Sequence, residues 1–205
     1  MGGNLVNIDV LSLLMGKALG SGGGGGGQVI PSLPAEYQQV EYLEANGDAW
    51  SYVKFGNDSS LFLEAEFEIS ETAPDTEQAI IGLNSEFEIY YKSGQIAFYG
   101  NSKGTAIDVG KGQKYKVTAK MVASYPLKSN YDIMIGSYTA SNYHFIGKIF
   151  SVVNYFEQDN IKIICSKFVP CKRKSDNVAG WYELFGGHFY AGGNGTTWTA
   201  GPDVN

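Results

Sequence analysis

Leu61-Phe62-Leu63-Glu64-Ala65-Glu66-Phe67-Glu68-Ile69 alternates with a period of two. Leu61, Leu63, Ala65, Phe67 and Ile69 take one face; Phe62, Glu64, Glu66 and Glu68 take the other. Successive side chains of a β-strand point to opposite faces, so this stretch reads as a strand with one apolar and one acidic side. Such a half-buried strand belongs to an antiparallel sheet with one wet face.

The same pattern continues on both sides of this strand. Residues 79–83 form a second short apolar run. Residues 86–91 and 95–99 flank Lys92-Ser93-Gly94, a hairpin signal. From Lys114 to Met121 the alternation returns, with Tyr115, Val117, Ala119 and Met121 sharing a face. Residues 131–136, 144–155 and 161–169 supply further strands, and residues 180–202 are dense in turn residues around short strands. No helical period of useful length occurs after residue 33. Many short strands broken by turns predict an all-β, antiparallel β-sandwich of jelly-roll type.

Composition bounds the function. The 205 residues suffice for one sandwich-sized domain and a short extra segment. A net charge of −6, with no basic cluster beyond Lys172-Arg173-Lys174, disfavours nucleic acid as a partner. Two cysteines and two histidines are too few for a structural zinc site, so neither metal nor cofactor is expected. No apolar run reaches the roughly 18–20 residues of a membrane span.

Glycine is unevenly spread: ten of the 27 lie within residues 1–27. This divides the chain into an N-terminal segment (1–20), a Gly-rich linker (20–32) and a body (33–205). In the first segment Asp9 is placed to cap a helix over residues 10–19, and Gly20 to end it. Val10, Leu11, Leu14, Met15 and Ala18 would form its apolar face, widened by Leu13 and Leu19. A helix this short is marginal alone and needs a surface for its leucines. A groove on a partner protein is the expected surface, and the protein's own body is the alternative. A signal peptide would carry positive charge ahead of the apolar stretch, whereas here Asp9 precedes it and Lys17 follows. The run Gly20-Ser21 followed by six glycines has the composition of a flexible tether, with an rms reach of about 16 Å.

Leu33-Pro34-Ala35-Glu36-Tyr37-Gln38-Gln39-Val40-Glu41-Tyr42-Leu43-Glu44 resembles the opening of a concanavalin/laminin-G-like jelly-roll domain, of the kind found in structural proteins of gut phages and prophages. Phe145-Ile146-Gly147-Lys148-Ile149-Phe150, Phe168-Val169-Pro170-Cys171, Gly180-Trp181-Tyr182-Glu183-Leu184, Phe189-Tyr190 and Gly201-Pro202 resemble its far end. The resemblance covers roughly residues 33–205. Near Trp50 the family has an aromatic-Ile-Asp-Thr-Gly stretch; here Trp50-Ser51-Tyr52-Val53-Lys54-Phe55-Gly56 departs from it. The N-terminal segment and its glycines resemble the virion-attachment end of a head-fibre or decoration protein. That resemblance implies virion anchoring through Leu5, Val6, Ile8, Val10, Leu11, Leu13, Leu14 and Met15.

Glu64, Glu66 and Glu68 share a face, as the alternating carboxylates of jelly-roll glucanases do, where one is nucleophile and another general acid. The plainer reading is a solvated outer face, the default for a half-wet strand. No Ser or Cys stands in a nucleophile elbow, and His144 and His188 lack a partner motif. Asp58, Asp75, Asp108, Asp132 and Asp159 are scattered; a rim calcium site of laminin-G type would have no ligands nameable from sequence. Cys165 and Cys171 in one extended strand would stand about 20 Å apart, far beyond the roughly 7 Å limit for a disulfide, and are expected as free thiols. Aromatics remain: Trp50, Tyr52, Tyr99, Tyr125, Tyr131, Tyr138, Tyr143 and Trp198, of which exposed ones can stack on sugars or pack at interfaces. Because binding concentrates on loops, Tyr125, Tyr138 and Tyr143 are the expected ligand contacts.

The expectation is therefore a non-enzymatic virion surface protein, a head fibre or capsid decoration, assembled in the bacterial host cytoplasm. Its partners would be capsid or other virion proteins through the N-terminus, a glycan or host-surface ligand through the body, and further copies in a homo-oligomer such as a trimer. A tail-associated receptor-binding protein and a secreted carbohydrate-binding adhesin are the alternatives, with a glycoside hydrolase using Glu64 and Glu68 behind them.

Overall fold

Alternation along the chain becomes two antiparallel sheets. The computed structural model describes residues 28–54, 62–83, 87–100, 102–103, 105–121, 132–139 and 143–205. In chain order the strands are β1 (Tyr37–Gln39), β2 (Leu43–Asn46), β3 (Ser51–Lys54), β4 (Phe62–Ile69), β5 (Gln78–Leu83), β6 (Phe87–Lys92), β7 (Gln95–Gly100) and β8 (Ser102–Lys103). They continue as β9 (Ile107–Asp108), β10 (Lys114–Met121), β11 (Asp132–Ile135), β12 (Ile146–Gln158), β13 (Ile161–Arg173), β14 (Ala179–Glu183), β15 (His188–Ala191) and β16 (Thr199–Ala200). The sole helical turn among the described residues is a 3₁₀ turn at Gly193–Gly195.

The ten-stranded sheet runs β15-β14-β13-β12-β4-β10-β8, with β1 beside β13, β2 beside β12 and β16 beside β2. The six-stranded sheet runs β3-β11-β5-β6-β7-β9. β4, the strand that opened the sequence reading, lies in the middle of the larger sheet between β10 and β12. Its Leu63, Ala65, Phe67 and Ile69 are buried as the alternation requires. They join Val117, Ala119, Ile149, Val152 and Phe168 of the same sheet, and Val53, Ile81, Ile89, Ile96, Ile133 and Ile135 of the other, in one apolar cluster. Two sheets contributing inner faces to a shared core make a β-sandwich.

Turn chemistry fixes the hairpins. Between β6 and β7 the loop is only Ser93-Gly94, because Lys92 already pairs with Gln95. Both loop residues have positive φ, 51° and 81°, as a two-residue type I′ turn needs. The β12–β13 hairpin closes the same way on Asp159 and Asn160, with φ of 54° and 63°. That tight closure carries β12 beyond residue 155 to Gln158, and pairing with β1 and β14 carries the far end of β13 beyond residue 169 to Arg173.

The β3 edge of the smaller sheet is stitched to the larger one. Ser51 Oγ donates to the Ala191 carbonyl at 2.8 Å and accepts from Trp198 Nε1 at 2.8 Å. Trp198 in turn meets Trp181 edge-on, ring centroids 5.8 Å apart. A smaller apolar cluster, Val169, Cys171, Tyr182 and Leu184, packs with Leu33, Tyr37 and Phe189. Both cysteines are free thiols, and burial pushes Cys171 up to about 12.

Candidate functional site: a tyrosine row on the smaller sheet

The acidic face of β4 is occupied by lysines. Glu64 receives Lys116 at 2.8 Å on one oxygen and Lys162 at 3.0 Å on the other. Glu66 pairs with Lys114 and Glu68 with Lys148, each at 2.7 Å. Aromatic rings fill in between: Phe62 stacks on Tyr155, Lys162 lies 3.9 Å from the Tyr155 ring centre, and Lys114 lies 3.9 Å from that of Phe150. Burial alone would raise the Glu64 carboxyl, but the hydrogen bonds and charges of Lys162 and Lys116 outweigh it and hold the group below its ordinary value. A general acid needs the opposite shift. This face is a lattice of paired Glu and Lys side chains with aromatic rings between them.

The outer face of the smaller sheet differs in kind. Tyr52 of β3 stands opposite Met134 of β11, Met134 opposite Gly82 of β5, Gly82 opposite Glu88 of β6, and Glu88 opposite Tyr99 of β7. Directly opposed residues share a face, so these five form one row across five strands. Their sequence neighbours Val53, Ile133, Ile135, Ile81 and Ile89 point into the core, which puts the row on the opposite face of the sheet, where Met134, Gly82 and Glu88 are buried and the two ends are exposed. Four strand spacings of about 4.8 Å separate Tyr52 from Tyr99 by roughly 19 Å. Tyr52 is 43% exposed and Tyr99 54%.

Glycines and turns build the row. Tyr52 sits edge-on against buried Trp50, ring centroids 4.6 Å apart, and Trp50 is roofed by the turn at Gly193, where a Cβ would strike the indole. In the middle of the row, a Cβ at Gly82 would come within 2.7 Å of Tyr138 Cα and 2.9 Å of its ring. The missing side chain therefore lets the segment after β11 lie directly on the sheet. Tyr138, half-buried there, meets Tyr143 edge-on at 6.0 Å. Tyr143 is 44% exposed and has a φ of 62°. This left-handed conformation costs an aromatic residue on the order of 1 kcal/mol. The Tyr143 carbonyl accepts the Ala79 amide at 2.8 Å, which ties the strained residue to β5.

Glu88 forms part of the floor of the row, 2% exposed. Burial, assisted by the negative charge of Glu77, raises its carboxyl to about 8. At neutral pH it is a carboxylic acid, so the row carries no formal charge. His144, next to Tyr143, has a buried Nδ1 without a hydrogen-bond partner, and burial lowers its pKa against the opposing pull of Asp48.

Of the residues expected to bind ligand, the structure brings Tyr138 and Tyr143 together; Tyr125 lies outside the described residues. The anchoring set Leu5, Val6, Ile8, Val10, Leu11, Leu13, Leu14 and Met15 also lies outside them. Trp50 and Trp198 are buried and serve packing. A preference for loops favours neither Tyr52 nor Tyr99, which are strand residues, and gives no reason to single out Glu88. Alternation within Phe87-Glu88-Ile89-Tyr90 places Glu88 opposite the apolar face, but nothing local says that this outer face is covered at Gly82. Among the described residues, no group of three or more His, Cys, Asp or Glu is arranged to hold a metal ion, and no helix is long and apolar enough to cross a membrane. No protein-family model, no curated protein and no solved structure matches the chain.

Proposed function

We propose that this chain is a non-enzymatic surface protein of a phage virion, of head-fibre or capsid-decoration type. Residues 1–20 attach it to the capsid or another virion protein, residues 20–32 are the tether, and the sandwich, read as a concanavalin/laminin-G-like jelly roll, adheres weakly to glycans. The motifs that resemble phage structural proteins support the setting. The observation that carries the adhesive role is the pair of exposed tyrosines at the ends of the row, Tyr52 and Tyr99, with Tyr138 and Tyr143 over its middle. Adhesion is favoured over hydrolysis because lysines occupy all three β4 glutamates and Glu64 is held ionised. A weak site becomes useful when several copies act together, which fits a homo-oligomer.

The test mixes full-length protein, and a version starting at Gln28, with purified particles lacking the protein, and sediments both. Pelleting of the full-length protein alone is the expected result. If neither pellets, the anchor is refuted and the secreted adhesin takes its place; if both pellet, attachment belongs to the body.

A further inference from the structure

We infer that the ligand of the smaller sheet is an uncharged polysaccharide lying across the strands, from Tyr52 over Tyr138 and Tyr143 to Tyr99. This rests on the adhesive reading and specifies its ligand and path. Among the described residues, every exposed large aromatic side chain is a tyrosine of this face: Tyr52, Tyr99 and Tyr143. The exposed large aliphatics of the same unit, Ile161 and Val204, lie outside the row. At the centre of the row Met134 and Gly82 are buried, so an incoming ligand meets tyrosine rings and no exposed aliphatic side chain of the row. Tyrosine offers a ring for the C–H face of a sugar and a hydroxyl for its polar edge.

The span favours a chain over a single sugar. Tyr52 and Tyr99 stand roughly 19 Å apart with Tyr138 between them, so a ligand that uses both ends is extended and runs perpendicular to the strands. The rings are also preorganised: Tyr52 against Trp50, and Tyr138 against Gly82 and Tyr143. Less side-chain freedom is then lost on binding.

Charge selects the class of polymer. Tyr52, Met134, Gly82 with Tyr138 above it, and Tyr99 bring no formal charge, and Glu88 beneath them is a neutral acid at pH 7. A polyanion would find no cation in the row and would approach a chain of net charge −6. A polycation would find no carboxylate there to pair with. An uncharged, hydroxyl-rich chain matches the row.

Affinity electrophoresis tests this with the full-length protein, in native gels cast with neutral polymers (a β-glucan, a mannan, a galactan and dextran) or with anionic alginate. At least one neutral polymer is expected to retard the protein and alginate to leave it unretarded. Tyr52→Ala and Tyr99→Ala should each weaken the retardation about tenfold, the scale of one lost ring contact. Tyr52→Phe and Tyr99→Phe keep the ring and should stay within a few-fold, and Ile161→Ala, on the β12–β13 hairpin, should be unchanged. Thermal unfolding of each variant reports the fold; if an alanine variant unfolds, lysine at the same exposed position replaces it. Retardation by no neutral polymer, retardation by alginate alone, or loss at only one end of the row overturns the inference. Particle sedimentation separates the two failures: attachment that persists without glycan binding removes the ligand and leaves the virion anchor.

Discussion

Replacing Glu88 with glutamine removes one titrating group and leaves its shape. In the wild-type protein the carboxyl moves from an ordinary 4.5 to about 8 on folding, through burial and the nearby charge of Glu77. An acid whose pKa rises on folding stabilises the native state least where it must ionise. Its destabilising effect is absent below pH 4.5, grows as pH rises, and is complete above about pH 8. Within that window the native protein holds one proton that the unfolded chain has released, so stability falls by about 1.4 kcal/mol per pH unit. From 4.5 to 7 the loss comes to roughly 3 kcal/mol. Glu88→Gln should match the wild type near pH 4.5 and exceed it by that amount at pH 7. Urea unfolding at half-unit steps from pH 4.5 to 8, followed by tryptophan fluorescence, measures it; Trp50, Trp181 and Trp198 are all buried and report unfolding. Taking the difference between the two proteins cancels His144, whose pKa burial lowers. Parallel stability profiles across pH 5–8 would refute the reasoning, because Glu88 would then ionise as easily folded as unfolded.

Glu64 should show the opposite sign. Its pKa is lowered on folding, so its stabilisation is present above pH 4.5 and fades as pH falls below that value. Glu64→Gln is expected to lose about 1 kcal/mol at pH 7, a modest figure because Lys116 and Lys162 are largely solvated, and the gap should close in acid unfolding curves. Gly82→Ala drives a methyl into the Tyr138 backbone and should lower stability by about 1–3 kcal/mol while altering the near-UV circular dichroism of the tyrosines; an unchanged spectrum contradicts the packing of Tyr138 on β5. A thiol reagent should find no more than one rapidly reacting cysteine in the native protein, because Cys171 is buried with its thiol pushed up to about 12, and both after denaturation.

Much of the fold is legible in the sequence. The alternation of residues 61–69 and 114–121 named the faces of β4 and β10, and their partners in the sheet obey the same rule. Lys92-Ser93-Gly94 marks a hairpin in the sequence, although the pairing of Lys92 with Gln95 is what limits its loop to Ser93-Gly94. Cys165 and Cys171 could be read as free thiols because a strand's rise holds them apart.

The site was legible only in part. Tyr138 and Tyr143 were reached through a preference for loops, and they do meet, but as the middle of a row whose ends are strand residues. Tyr52 and Tyr99 are 47 positions apart in the chain, and no local pattern links them. The same holds for the β4 glutamates, whose spacing matches a catalytic strand and whose lysine partners come from β10, β12 and the β13 end of a hairpin. Side-chain periodicity is a property of one strand's backbone geometry, so the sequence alone determined which residues turn inward and where the chain must bend. Which outward residues stand side by side depends on the order and register of strands brought together by long-range pairing. Tertiary structure therefore decided that Tyr52, Glu88 and Tyr99 share one row, that Tyr138 covers Gly82, and that Glu88 keeps its proton.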